Sequence, residues 1–215
     1  MYRPPRPALT RDRVRHVGQS VALVIAETLN QAKDAAEAIK IDYTPLPAFF
    51  STATANKGEA PVLWDDCPNN EPVFAQHGDK DAVDAALASA PHVIRGTFVV
   101  NRVAANTMEP RSVVGEYDEG RDHYTIHACH QRPYIWRSMM CEHVFHIPEN
   151  KMTIIAGDVG GSYGMKGGLY PEVPLIAWAA KKVARPVKWT CERSEGLICD
   201  DQARDMVVDA ALALD

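Results

Sequence analysis

No stretch of the chain approaches the run of about eighteen apolar residues that a membrane-crossing helix needs. Basic residues are not in excess: Lys and Arg number 23 against 28 Asp and Glu, a net charge of −5. That leaves no positive field to release counterions from DNA or RNA, so nucleic acid is not an expected partner. The five cysteines, Cys67, Cys129, Cys141, Cys191 and Cys199, contain no CxxC pair. Neither a disulfide framework nor an iron–sulfur motif is written there, and reduced thiols in a cytoplasmic protein are expected. There is no GxSxG elbow and no HExxH, which sets aside the commonest hydrolase designs. Residues 1–13 have no apolar stretch behind their basic residues, unlike a secretory signal, and Pro4, Pro5 and Pro7 favour an extended lead.

What is present is an ordinary globular composition, 46% hydrophobic over 215 residues, enough for one large or two small domains. Residues 13–16 and the apolar run Val21 to Ala26 predict strands. Thr28 and Gln31 have the spacing of a capping box and predict a helix behind them, with Ala32, Ala35, Ala36 and Ile39 on one face. Residues 39–43 predict a further strand, completing a βαβ-type unit. Asp79 caps a short helix over 80–90. Strands are predicted at 93–100, 112–117 and 124–129, with Asp118-Glu-Gly120 as the turn between the last two. A helix over 133–145, a strand at 152–156, a helix over 169–183 and a strand at 187–190 follow, and residues 207–214 read as an apolar strand. The fold class is α+β. The expected division is residues 1–50, a linker with a short helix over 51–90, and a mixed domain over 91–215.

The most informative segment is Gly157-Asp-Val-Gly-Gly-Ser-Tyr-Gly-Met-Lys-Gly-Gly168, with six glycines in twelve residues between a strand and a helix. Such a turn adopts positive φ, approaches a ligand closely and turns successive N–H groups outward as an anion site. It is not a Walker A loop, because Gly167 stands where Ser or Thr is required after Lys166. By spacing alone a structural turn and a ligand loop remain equally open.

Asp158-Val-Gly-Gly-Ser-Tyr-Gly-Met-Lys166 resembles the DVGGGFGxK loop of the molybdenum hydroxylases, the large molybdopterin-binding subunits of the xanthine dehydrogenase, aldehyde oxidase and carbon monoxide dehydrogenase type. Arg11-Asp-Arg-Val-Arg-His-Val-Gly-Gln-Ser-Val-Ala22 resembles that family's RDxVRxVGExVA, which enters the second part of its α/β hammerhead domain. Met108-Glu-Pro-Arg111 is similar to its MEPR, and Thr125-Ile-His-Ala-Cys-His-Gln-Arg-Pro133 to its strand ending in STQxP. Pro186-Val-Lys-Trp-Thr-Cys-Glu-Arg-Ser194 and Ala203-Arg-Asp205 complete the series. Essentially the whole chain is covered, in order.

The resemblance implies a late hammerhead segment followed by the start of a mixed α+β molybdopterin-binding domain. It implies that Gln131 hydrogen-bonds an oxo ligand of molybdenum, and that Gly160, Gly161, Ser162, Tyr163 and Gly164 present backbone N–H groups to the cofactor. That cofactor is molybdenum–molybdopterin, with the cytosine dinucleotide form allowed. No residue here is implied as a metal ligand, since the pterin dithiolene carries the metal. The general-base glutamate is implied to lie beyond residue 215, so no catalytic residue is expected in this chain. Iron–sulfur and FAD centres are expected on partner subunits or segments, with a small-molecule substrate. Family subunits are several times longer, so the chain is expected to be an internal fragment of a carbon-hydroxylating oxidoreductase, inactive alone. The alternative is a non-catalytic assembly module docking with other pieces of a split enzyme.

Departures from the family pattern are Ser162 for glycine, Tyr163 for phenylalanine and Cys129-His130 for Ser-Thr. Purine-oxidising members carry glutamate where this chain has Gly167, which argues against xanthine. Cys129, His130, Cys141, His143 and His146 lack zinc-site spacing, and Trp136 and Phe145 read as core. Glu109 and Arg111, flanking Pro110, could be an acid and a charge clamp, but a structural ion pair or backbone anchor is the stronger reading, and Lys181, Lys182 and Arg185 read as a solvated helix end.

Overall fold

Local sequence signals account for the first helix, α1 (Leu29–Glu37): the Thr28 hydroxyl accepts from the Gln31 N–H while the Gln31 side chain accepts from the Thr28 N–H. The flanking strands predicted at 13–16, 21–26 and 39–43 do not form. A strand exists only as half of a hydrogen-bonded pair, and these segments have no ladder partner; beside them lies an isolated bond from the Thr10 N–H to the Ser20 carbonyl. Apolar composition alone did not supply a neighbour.

The computed structural model describes residues 1–215. They form two compact units, Met1–Pro5 with Thr44–Val103 and Ala203–Asp215, and Arg6–Tyr43 with Ala104–Gln202. In the first unit, Asp79 accepts from the Ala82 N–H and starts α2 (Lys80–Ser89). β1 (His92–Val100) is followed far along the chain by its antiparallel partner, Met206–Leu214, in register from His92 opposite Leu214 to Val100 opposite Met206. Paired N–H and carbonyl groups of Val103 and Ala203 extend this ribbon. Ile94, Phe98 and Val99 on it are exposed.

The second unit holds a four-stranded sheet. β2 (Ser112–Asp118) and β3 (His123–Ala128) form the hairpin whose turn contains Asp118 to Gly120. The chain then runs through α3 (Pro133–Met139) to β4 (Met152–Ile155), which pairs parallel to β3. This is the chain's true βαβ unit, as a parallel neighbour requires a crossover. The helix predicted through residue 145 continues, but Met140–Phe145 widens into a π-helix and ends at left-handed His146. α4 (Glu172–Val183) begins three residues later than expected; Pro171 and Pro174 then sit at the cap and first turn, where no helical N–H bond is lost. β5 (Val187–Thr190) joins the far side of β2, giving the order β4-β3-β2-β5. α5 (Arg193–Cys199) was not predicted, and the ribbon strand Met206–Leu214 is β6.

The core lies between this sheet, α3 and α4, with Val113, Ile126, Trp136, Met140, Ile176 and Ala177 among its buried members. Gly115 permits α4 to lie directly on β2: a Cβ there would stand 3.0 Å from the Ile176 carbonyl oxygen and 3.2 Å from the Ala177 Cα. Both obstacles are backbone. Gly115→Ala is therefore expected to cost about 1–3 kcal/mol by overpacking, read as a lowered urea midpoint. An unchanged midpoint would contradict the close helix–sheet contact.

Candidate functional site

The glycine-rich segment leaves β4 and reaches α4 through a tight turn, with Gly161 at φ 93°, Tyr163 at 52° and Gly164 at 94°. Three such positions among four residues are inaccessible to most side chains, which is why glycines cluster there. The turn is closed from within by hydrogen bonds from Met165 N–H to the Ser162 carbonyl (3.0 Å) and Gly167 N–H to the Gly164 carbonyl (3.1 Å). The Ser162 hydroxyl accepts from the Lys166 N–H at 3.0 Å. The substitution of serine for the family's glycine therefore turns its side chain inward, against the loop's own backbone.

Lys166 is the loop's anchor. Its side chain is fully buried, and its Nζ donates to Glu109 Oε2 at 2.7 Å. The same carboxylate oxygen accepts from the Gly160 N–H at 2.8 Å, and the Glu109 N–H returns a bond to the Gly160 carbonyl. A Cβ on Gly160 would stand 2.5 Å from that of Glu109, so the approach is too close for any other residue. Burial raises the Glu109 carboxyl, but the hydrogen bonds from Lys166 and Gly160 outweigh it and hold the group below its ordinary value. Segment 107–109 is itself held: the Thr107 hydroxyl donates to the Glu109 carbonyl, and Arg193 donates to the carbonyls of Thr107 and Met108.

Gln131 is exposed, two residues before the start of α3. Its N–H donates to the Lys166 carbonyl at 3.3 Å, and its Oε1 lies 3.5 Å from where a Cβ on Gly167 would be. Gln131 and the loop 160–164 are thus joined through Lys166 and Gly167. The Trp136 indole N–H adds a bond to the Gly167 carbonyl at 3.3 Å. Preceding Gln131, His130 is 2% exposed and stacks on Trp136 at 4.3 Å. Neither ring nitrogen has a protein partner, and burial depresses its pKa to about 4.

On the outer side the loop is open. The N–H groups of Ser162, Tyr163 and Gly164 donate to no protein acceptor. A Cβ on Gly164 would meet nothing within 4 Å, and Tyr163 is 85% exposed, its hydroxyl in water rather than in need of a buried partner. Three adjacent donors without a protein acceptor, in a loop whose Gly164 is unobstructed, fit a polyoxygenated anionic group such as a metal-carrying pterin.

Arg111, the last residue of Met108-Glu-Pro-Arg111, is also buried and structural. It binds Asp200 Oδ1 at 2.6 Å, pairs with Glu172, and lies 3.9 Å over the Tyr170 ring. The Tyr170 hydroxyl donates to the Met165 carbonyl and accepts from the Asp201 N–H, both at 2.9 Å. The expected roles of Glu109 and Arg111 as anchors are met, though through partners that sequence reasoning did not name. The cysteines and histidines at 129, 130, 141, 143 and 146 form no metal-holding group; the convergent set is Cys191, Cys199 and Asp200.

Residues 64–215 match the molybdopterin cofactor-binding domain, and residues 2–47 match the α/β hammerhead domain of aldehyde oxidase and xanthine dehydrogenase. The chain is 36% identical to subunit gamma of the 6-hydroxypseudooxynicotine dehydrogenase complex of Paenarthrobacter nicotinovorans, over 97% of this chain and 26% of that protein. It is 32% identical to the carbon monoxide dehydrogenase large chain of Hydrogenophaga pseudoflava, over 95% of this chain and 27% of that one. Quinoline 2-oxidoreductase from Pseudomonas putida 86 superposes with a TM-score of 0.89 at 31% identity, covering 97% of this chain and 26% of its own. The chain thus spans about a quarter of the length of these relatives. No helix is long and apolar enough to cross a membrane.

Proposed function

Because the chain belongs to the aldehyde oxidase and xanthine dehydrogenase family of molybdopterin oxidoreductases, we propose that residues 91–215 form part of a cradle for molybdenum–molybdopterin. The enzyme it serves hydroxylates a carbon centre, in an aldehyde, an N-heterocycle or a related compound, with water as the oxygen source. When bound, the cofactor supplies the two-electron redox chemistry. The chain's own residues bind and orient. Ser162, Tyr163 and Gly164 offer N–H donors, Gly160 and Gly161 let the backbone approach, and Gln131 adds a neutral amide donor that brings no charge.

The observation that carries this reading is a loop with three N–H groups that have no protein acceptor, open at Tyr163 and Gly164 and anchored by the buried Lys166–Glu109 pair. A chain with a quarter of its relatives' length supplies one wall of an active site. The general base, the rest of the large subunit, and the iron–sulfur and flavin centres come from other segments or subunits, and the chain alone is inactive. Two of the relatives carry names that denote parts of larger assemblies, a complex subunit gamma and a large chain. Residues 1–50 serve as the hammerhead portion and 51–90 as the connection. Five free cysteines suit the cytoplasm. The exposed apolar ribbon of β1 and β6 favours a second reading, in which docking to other segments is the chain's sole role.

In the assembled complex, Gln131→Ala is expected to lower turnover about tenfold, the loss of one neutral hydrogen bond, with molybdenum content unchanged. Dye reduction with aldehyde, N-heterocycle and carbon monoxide donors, alongside metal analysis, reads both. Unchanged turnover on an accepted donor would remove Gln131 from the site.

A further inference from the structure

Away from the loop's open face, the Arg111 cluster contains two cysteines that the proposed function does not use. Cys191 follows β5 and is 3% exposed; Cys199 closes α5 and is partly exposed. Their sulfurs lie within 4.8 Å of each other. The Arg111 guanidinium stands 3.0 Å from the Cys199 sulfur and 3.9 Å from that of Cys191. Asp200 completes a set of three potential ligands, but Arg111 binds its carboxylate at 2.6 Å. A fixed positive charge inside the cluster opposes a metal cation and favours a thiolate.

We propose that Cys191 and Cys199 are a peroxide-reactive dithiol that closes reversibly to an intrachain disulfide. Cys199 is the attacking sulfur, because it is the more accessible and has the closer cation. The neighbouring Cys191 thiol and the charge of Arg111 hold the Cys199 thiol below its ordinary range, while the proximity of Cys199 and burial push Cys191 up. One thiolate activated by a cation, beside a protonated resolving thiol, is the arrangement that makes a cysteine pair redox-responsive.

The chemistry balances with hydrogen peroxide as oxidant. The Cys199 thiolate attacks a peroxide oxygen; the O–O bond breaks, and the departing hydroxide takes the proton Cys199 released, leaving as water. The Cys199 sulfenic acid is then attacked by the Cys191 sulfur. The S–O bond breaks, the S–S bond forms, and the second hydroxide leaves as water with the Cys191 proton. Two thiols lose two electrons, the peroxide gains them, and a thiol reductant reverses the change. Arg111 keeps Asp200, Glu172 and the Tyr170 ring throughout, so the fold survives either state.

The test treats the purified native complex with hydrogen peroxide, alkylates free thiols and digests with trypsin without reduction. Cleavage after Lys188, Arg193 and Arg204 puts the two cysteines on different peptides. Expected is peptide 189–193 cross-linked to 194–204, released by dithiothreitol, with Cys67, Cys129 and Cys141 still free. In the untreated complex Cys199 should be alkylated about tenfold faster than those three. Cys191→Ser should leave a Cys199 sulfenic acid that dimedone captures, and Cys199→Ser should leave residue 191 unoxidised. Should either variant fail to fold, the wild-type digest decides alone. Cys199 carried to sulfinic or sulfonic acid with Cys191 still free would overturn the proposal. So would both thiols remaining alkylatable after peroxide treatment.

Discussion

Glu109→Gln is expected to destabilise the second unit by roughly 3 kcal/mol. The glutamine keeps an acceptor for the Gly160 N–H but removes the negative charge opposite Lys166, whose side chain is fully buried. A buried charge that loses its partner costs far more than the intact pair contributes, because desolvation is no longer compensated. Glu109 is about one-third exposed, which puts the loss towards the low end for buried pairs. The double variant Glu109→Gln with Lys166→Met should recover most of that loss, since an apolar chain of similar volume needs no partner. Urea unfolding of the single and double variants measures the coupling. A single-variant loss under about 0.5 kcal/mol would mean that Lys166 does not depend on Glu109. The native pair also carries a pH signature. The Glu109 carboxyl is depressed in the folded chain, so its contribution is present above the unfolded value and disappears as pH falls through the folded one.

His130 should produce a separate and earlier acid loss. Its folded pKa is about 4 against an ordinary 6.5, because burial disfavours the imidazolium and no protein group offers it a hydrogen bond. Between those values the unfolded chain binds the proton and the folded chain does not, so stability rises with pH across that window and is flat above it. The loss is about 2 kcal/mol by about pH 5 and approaches about 3 kcal/mol below pH 4. His130→Phe retains the ring stacked on Trp136 and should abolish this component while leaving the Glu109 component, which falls at lower pH. Equal pH dependence in the variant and the native chain would show that His130 protonates freely in the fold.

The parts legible in sequence were those set by neighbours along the chain. The Thr28–Gln31 capping box, the Asp79 cap, the β2–β3 hairpin and the glycine turn each depend on residues within a few positions. Residues 21–26 and 39–43 were misread because an apolar run specifies a buried strand only where another strand lies beside it. The π-helix at 140–145 has no residue marker comparable to proline or glycine. In the candidate site, the glycines and Gln131 were singled out through the family motifs. The ion pair that holds the loop was not, since Glu109 and Lys166 are 57 positions apart. The pairing of Cys191 with Cys199 was hidden for a related reason: a spacing of eight corresponds to no CxxC motif, and the turn into α5 brings the sulfurs together.

We propose that the outer face of loop 160–164 receives the molybdenum-carrying pterin. The most direct test of this is the molybdenum content of the complex isolated through a tag on this chain, native and Gly164→Val. Gly164 has φ 94° and open space beyond it, so a valine there projects into the proposed cradle. Gly78→Val, at φ 87° with equally open surroundings in the other unit, controls for backbone strain. The account predicts near-stoichiometric molybdenum in the native and Gly78→Val complexes and almost none in Gly164→Val, with all three chains still folded and assembled. Full molybdenum in Gly164→Val, or none in the native complex, would contradict it.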